Sequence, residues 1–348
     1  MGIKDLRKFL KDKDVNCFFQ TSLIHFSHLR VGIDGLNWLF TYLNIVYKNL
    51  IDRKKDVLED IDQEEVFQRL VHEYLRFNNR LMNYKITPVW IWDGVSKDNK
   101  LLTKVERRSA RKQMIEKKET LKKELLDMNV LERPSELLNT YKKMASTTAY
   151  LKPDKIERLK EISKLCGIPT IIAEDEAENL ASSLAVERIL AAVWSSDTDT
   201  YPLGAPLVIK NFEKKNGYDY VSGIYTSKIL SELDMTHKQF RDFCILLGTD
   251  FNDRIDRIGP SKAFTLIKTY GDLETITEET RHNTYGLKFH QVREQLTPYD
   301  TYYDEEIFQI NKNVDEEDLR SKIESDQLNL FLSNIKIMPR SRNVPKKN

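Results

Sequence analysis

Four short apolar runs recur along the chain: RVGID at 30–34, PVWIWD at 88–93, IPTIIA at 168–173 and LAAVWSSD at 190–197. PLVIKN at 206–211 reads as a fifth. Each is nearly continuous in apolar residues rather than alternating, the pattern of a strand covered on both faces. Helical periodicity fills the intervals, which predicts an α/β fold with a doubly wound, mostly parallel sheet. Three of the runs end at or just before an aspartate, namely Asp34, Asp93 and Asp197, and IPTIIA leads directly into Glu174, Asp175, Glu176 and Glu178. Ligands of open α/β sheets bind outside the carboxyl ends of the strands, so carboxylates from four strands are expected to converge there.

Close carboxylates repel. At roughly 4 Å and an effective dielectric near 20, each pair costs about 4 kcal/mol. They must therefore stay apart, raise their pKa values or hold a cation. In the run after 176, Ala177, Leu180, Ala181 and Leu184 are spaced for helical core packing. Glu176 and Glu178, two apart, can share a ligand only at that helix's irregular first turn. Cys17, Cys166 and Cys244 are few and distant, as reduced thiols are, and the six His are scattered. A hard, oxygen-ligated cation remains open; a nitrogen- or sulfur-ligated one does not fit.

Two further segments depart from the strand–helix rhythm. Residues 97–123 carry eleven Lys or Arg against four acids, a local net of +7 in a chain whose net charge is only +1. Lys100, Lys104, Arg107 and Arg111 form one helical stripe. Such a run is ordinarily a solvated face. An unbroken stripe of one sign costs helix stability, though, and a phosphate backbone would offset that cost. Residues 97–150 thus read as a mobile helical insertion between strands. The second segment, 240–276, is an apolar helix ending near Gly248, a loop, and a helix opened by Ile258-Gly259-Pro260. Its reading divides evenly between an ordinary helical hairpin and a phosphate seat with Lys262 behind the free N–H groups.

At 348 residues the chain is one large domain or two small ones. No apolar run approaches 18 residues, and the N-terminus lacks a signal-peptide core, so an intracellular, non-membrane protein is expected. The tail PRSRNVPKKN is basic and proline-containing. It reads as a disordered end, a weak import signal or a phosphate-tracking arm.

The ordered set MGIKDL, VGIDG, WIWDG, EDEAEN, SSDTD and LLGTDF followed by IGPSKA resembles the flap endonuclease family of XPG-type structure-specific 5′ nucleases, over about residues 1–280. The resemblance implies a PIN-like fold with a helical arch and a helix-turn-helix-like duplex-binding region. It divides the chain at 1–96 and 151–236 (nuclease halves), 97–150 (arch), 237–285 (duplex-binding hairpin) and 286–348 (C-terminal helices and tail). Asp34, Asp93, Glu176, Glu178, Asp197, Asp199 and Asp250 match the family's metal-binding acids, with Glu178 the expected bridge. The implied cofactor is two Mg2+ ions, with Mn2+ a substitute. Lys100 and Arg107 match the arch residues that engage the scissile phosphate, and Lys104 and Arg111 extend that stripe. Phe40 stands where the family has a base-stacking tyrosine. Arg257, Gly259 and Lys262 are the expected duplex contacts. The family has glycine at the position of Arg257, in a turn holding a monovalent cation, so that cation is in question here. SDQLNLFLSN lacks the paired aromatics of a sliding-clamp box. The resemblance implies a monomeric 5′ flap endonuclease of DNA replication and repair, nuclear in a eukaryotic cell and otherwise at a site of viral replication. A 5′ exonuclease or gap nuclease on the same site, and an inactive DNA-binding module, are the alternatives.

Overall fold

The computed structural model describes residues 2–94 and 101–345, excepting the side chains of 101–104, 106 and 107. In chain order the elements are α1 (Leu6–Asp12), β1 (Phe18–Ser22), β2 (Arg30–Asp34), α2 (Gly35–Arg53), α3 (Gln63–Met82) and β3 (Thr87–Trp92). There follow α4 (Leu101–Leu126), α5 (Ser135–Thr147), α6 (Pro153–Leu165), β4 (Thr170–Ile172), α7 (Ala177–Val186) and β5 (Ala192–Trp194). The rest comprises β6 (Leu207–Lys215), β7 (Tyr218–Tyr225), α8 (Thr226–Leu233), α9 (His237–Leu247), α10 (Pro260–Tyr270), α11 (Leu273–Glu279), α12 (Phe289–Gln295), α13 (Glu316–Lys322) and α14 (Gln327–Ile337).

The strands form one sheet in the order β1-β7-β6-β5-β2-β3-β4. Pairing is parallel from β4 through β6 and antiparallel in β6-β7 and β7-β1. All five expected strands are present. Every residue of β2 and β3 is buried, which explains why those runs are apolar without alternation. From β2 the chain goes first to β3 and β4, then returns to β5 on the other side of β2. That reversal puts a topological switch point between β2 and β5.

Each face of the sheet has its own core. Helices α1, α7, α9 and α10 pack one face around Phe9, Leu180, Leu184, Phe243 and Ile267. On the other, α2, α3 and α14 enclose Trp38, Tyr74, Phe77, Trp90 and Phe331. Asn78, fully buried in that aromatic layer, accepts from Trp90 Nε1 at 2.9 Å and donates to the Tyr74 carbonyl at 2.8 Å, so both ends of its own amide are paired.

Between β3 and β4, α4 runs 26 residues, about 39 Å at helical rise. It meets α5 and the loop before α3 in a small apolar cluster of Leu58, Leu125 and Tyr141. Three ion pairs tie this insertion to the body: Lys122–Asp60 at 2.7 Å, Arg133–Asp56 at 2.6 Å and Lys142–Asp52 at 2.8 Å.

The tail differs from expectation. Through residue 345 it is docked, with Arg342 N–H donating to the His28 carbonyl at 3.1 Å and Val344 N–H to the Arg188 carbonyl at 2.8 Å. The cause is Arg30, only 1% exposed at the start of β2, whose guanidinium donates to Ser341 Oγ and Asn343 Oδ1, both at 2.8 Å. A buried guanidinium requires acceptors, and the tail supplies two side chains of them beside the Glu305 carboxylate. SDQLNLFLSN lies in and just before α14, where Leu328, Phe331 and Leu332 are core residues against α3.

Candidate active site

Asp34 ends β2 and caps α2. Its Oδ1 accepts from the Asn37 N–H and its Oδ2 from the Ser195 hydroxyl, each at 3.0 Å. Burial pushes its carboxyl up to about 7, and the charges of Asp93 and Asp197 add to the rise against those two hydrogen bonds. Asp93, just past β3, accepts from the Ala177 N–H at 2.8 Å and so caps the first turn of α7. This contact fixes the start of the helix that carries Glu178, with Glu176 at its N-cap. Beyond β5, Asp197 donates its N–H to Ser195 Oγ at 3.0 Å, and Asp199 donates its own to Asp197 Oδ1 at 3.2 Å.

These turns bring one carboxylate oxygen each of Glu178, Asp197 and Asp199 within 4.8 Å of one another, with both aspartates buried. Three hard oxygen donors so close, beside a carboxyl already pushed toward neutrality, fit a divalent cation of the Mg2+ class. Asp34 and Asp93 lie near enough to act on one another's charge, and Glu176 sits one turn-start from Glu178. Asp250 is on the buried loop after α9, which joins the N-terminal segment through a Lys4 N–H to Gly248 carbonyl bond of 3.0 Å.

The sequence matches the XPG N-terminal domain over residues 1–114 and the XPG I-region over 167–250. Flap endonuclease 1 of Yarrowia lipolytica is 30% identical over 291 residues, covering 82% of this chain and 72% of that protein. The chain belongs to the flap endonuclease family. Among solved structures, flap endonuclease-1 of Methanococcus jannaschii shares the fold at a TM-score of 0.60, 21% identity, 92% of this chain and 96% of the other. The catalytic core of Rad2 in complex with DNA substrate aligns at 0.56, with 19% identity, 92% of this chain and 93% of the other.

For this flap endonuclease family member only some of the remaining expected residues fall among those described. Lys100 lies outside the described residues, as do the side chains of Lys104 and Arg107. Arg111, expected to face DNA, donates instead to the Thr148 and Ala149 carbonyls at 3.1 and 3.3 Å and lies over the Tyr150 ring. It ties α4 to the end of α5. Phe40 is 48% exposed on α2, three residues past Asn37. Gly259 precedes α10 in extended conformation, and a Cβ there would meet nothing within 4 Å. Lys262 is exposed in that helix's first turn.

Arg257 has φ 58°, in the left-handed region. Arg257 thus holds a backbone conformation that glycine adopts freely, at a cost of roughly 1–2 kcal/mol. Its side chain is 91% exposed beside Asp256.

Sequence reading missed Gly2. With φ 86° it packs so closely on Asp197, Thr198 and Asp199 that a Cβ would overlap Asp197 Oδ1 and Thr198 Oγ1. The next N–H, of Ile3, donates to Thr198 Oγ1 at 2.7 Å. Ser195 and Asn37, which orient Asp34 and its neighbours, were also missed. SSDTD contained the serine as a signal, but nothing local marks the other two.

Proposed function

We propose that this chain is a structure-specific 5′ flap endonuclease, cutting a phosphodiester bond at a single-strand/duplex junction in DNA replication and repair. The convergence of Glu178, Asp197 and Asp199 at the switch point, within this family, carries the reading. Those three residues would hold one Mg2+ ion, and Asp93 and Glu176, sharing Glu178, would hold a second; Mn2+ would fit the same donors. Bound divalent ions supply an activated water and neutralise charge at the leaving oxygen. Asp34, fixed by Asn37 and Ser195, and Asp250 would act on bound ions through water.

Lys100 and Arg107 bring positive charge to the scissile phosphate from the arch. Phe40 offers an exposed aromatic face on which the base beside the cut can stack. The N–H groups opening α10, with Gly259 leaving room and Lys262 behind, seat a duplex phosphate. Arg257, exposed in the 254–259 loop, offers its guanidinium to a duplex phosphate in place of a monovalent cation. Selection rests on DNA shape rather than base edges, and the protein acts as a monomer, in the nucleus if the cell is eukaryotic.

Flapped, nicked and blunt duplexes, each end-labelled and offered side by side in Mg2+, test this. Incision at the flap junction, fastest among the three, is expected. Nucleotide-by-nucleotide release from blunt or nicked ends in preference to flap cutting would favour the exonuclease reading instead.

A further inference from the structure

A second cleft of about 360 Å3 opens between α2, the end of α3, the carboxyl end of β5 and the middle of β6. Trp38, Tyr42, Trp194 and Phe212 form its apolar walls, and Arg7, Arg80 and Lys210 bring three cations to it without a single lining carboxylate. Two of the cations have partners in the protein. Arg80 binds Asp219 Oδ1 through Nε at 2.8 Å and Nη2 at 2.5 Å and lies over the Phe212 ring. Arg7 donates to the Ser196 carbonyl. Lys210 differs. Partly buried on β6, its ammonium has neither an ion pair nor a hydrogen-bond acceptor among the described residues; the Tyr201 ring lies 5.4 Å away, with Arg7 and the Cys17 thiol near enough to act on its charge. Burial, with the Arg7 charge adding to it, brings its pKa down to about 8.

A partly buried ammonium without an acceptor is costly, and a second cation beside it raises that cost. The arrangement becomes favourable when an anion with several acceptor oxygens enters. Ser196 and Asn37 both line the cleft and are joined by a 3.0 Å bond from Ser196 N–H to Asn37 Oδ1. Ser196 directly precedes Asp197, so the cleft shares a rim with the carboxylate site. Lys210 lies on the next strand outward from β5, about 4.8 Å away in the sheet. An anion held there is therefore beside the cleaved phosphate and distinct from it.

We propose that Lys210 and Arg7 form a seat for a backbone phosphate of the bound DNA other than the one cut, positioning the strand beside the metal carboxylates. This rests on the flap-nuclease reading above. A phosphodiester supplies the charge and oxygens that the ammonium lacks, and the aromatic walls accept the adjoining sugar or base. A free phosphate shares that chemistry, so the two sources must be separated by experiment.

The test uses full-length protein at pH 7, where Lys210 is charged, in wild-type, Lys210→Met, Lys210→Arg and Arg7→Gln forms. Affinity for a flapped duplex is measured in Ca2+ across a KCl series, single-turnover cleavage in Mg2+, and inorganic phosphate binding by the fluorescence of the cleft tryptophans. Lys210→Met should weaken duplex binding about tenfold and reduce the salt slope by about 1. Lys210→Arg should restore both, and exposed Arg7→Gln, which does not threaten the fold, should show a smaller loss of the same kind. Unchanged affinity and slope in both Lys210→Met and Arg7→Gln overturns the seat while leaving flap cleavage by wild type intact. Lys210-dependent binding of inorganic phosphate without any effect on DNA also overturns it, in favour of a free-anion site. Wild type that binds DNA with the Lys210-dependent slope yet fails to cut flaps leaves the seat standing and removes the flap-nuclease reading.

Discussion

At the scale of single residues, the site depends on side chains held by their neighbours rather than on acids alone. Asp34 is fixed by two hydrogen bonds, and Asp93 spends one oxygen on the first turn of α7. Gly2 gives the sharpest test of this dependence. Its positive φ and its approach to Asp197 and Thr198 leave no space for a methyl group. Gly2→Ala should displace the Asp197 carboxylate and slow single-turnover cleavage on the order of 100-fold, with little change in duplex affinity. A cleavage rate near that of wild type would show that the carboxylates tolerate displacement. The acids themselves were legible because each closes a recognisable apolar run. Gly2 was not, because its constraint comes from residues nearly two hundred positions away.

Among elements, the five parallel strands were legible from their apolar runs, which are unbroken in β2, β3 and β5 because both faces of those strands are buried. β1 and β7 were not, since both are partly exposed and read as polar sequence. Asn216-Gly217 between β6 and β7, both at positive φ, was the available hairpin signal. The basic insertion was legible as helix, but its attachment was not, because Asp52, Asp56 and Asp60 lie some seventy positions or more from most of their partners. Of the three pairs, Arg133–Asp56 is the most enclosed, at 5% and 30% side-chain exposure, whereas Asp60 is 96% exposed. Exposed pairs contribute little. Asp56→Asn should therefore speed limited proteolysis within 97–150 severalfold, and Asp60→Asn should leave it nearly unchanged. Equal effects would mean that the pairs do not differ as their burial requires.

Across the whole molecule, the carboxylates and the tail occupy opposite ends of the parallel strands: Asp34 ends β2, and Arg30, which holds the tail, begins it. Composition alone made the tail read as disordered, because nothing in PRSRNVPKKN reveals a buried guanidinium waiting for acceptors. Deleting residues 339–348 removes the Ser341 and Asn343 acceptors of Arg30 and should cost about 2–3 kcal/mol of stability in urea unfolding. Duplex affinity should be unchanged. A loss of affinity at unchanged stability would instead make the tail a phosphate-tracking arm.

The central claim is that carboxylates gathered at the switch point serve cleavage through bound cations and do little for DNA affinity. Asp197→Ala tests it most directly, with single-turnover cleavage of a 5′-flapped duplex in Mg2+ and equilibrium binding of the same duplex in Ca2+. Asp197 belongs to the close triplet and also raises the charge burden on Asp34, so its removal takes away a cation ligand while lessening repulsion of phosphate. Cleavage should be abolished and affinity kept or slightly tightened. Cleavage at close to the wild-type rate would contradict it.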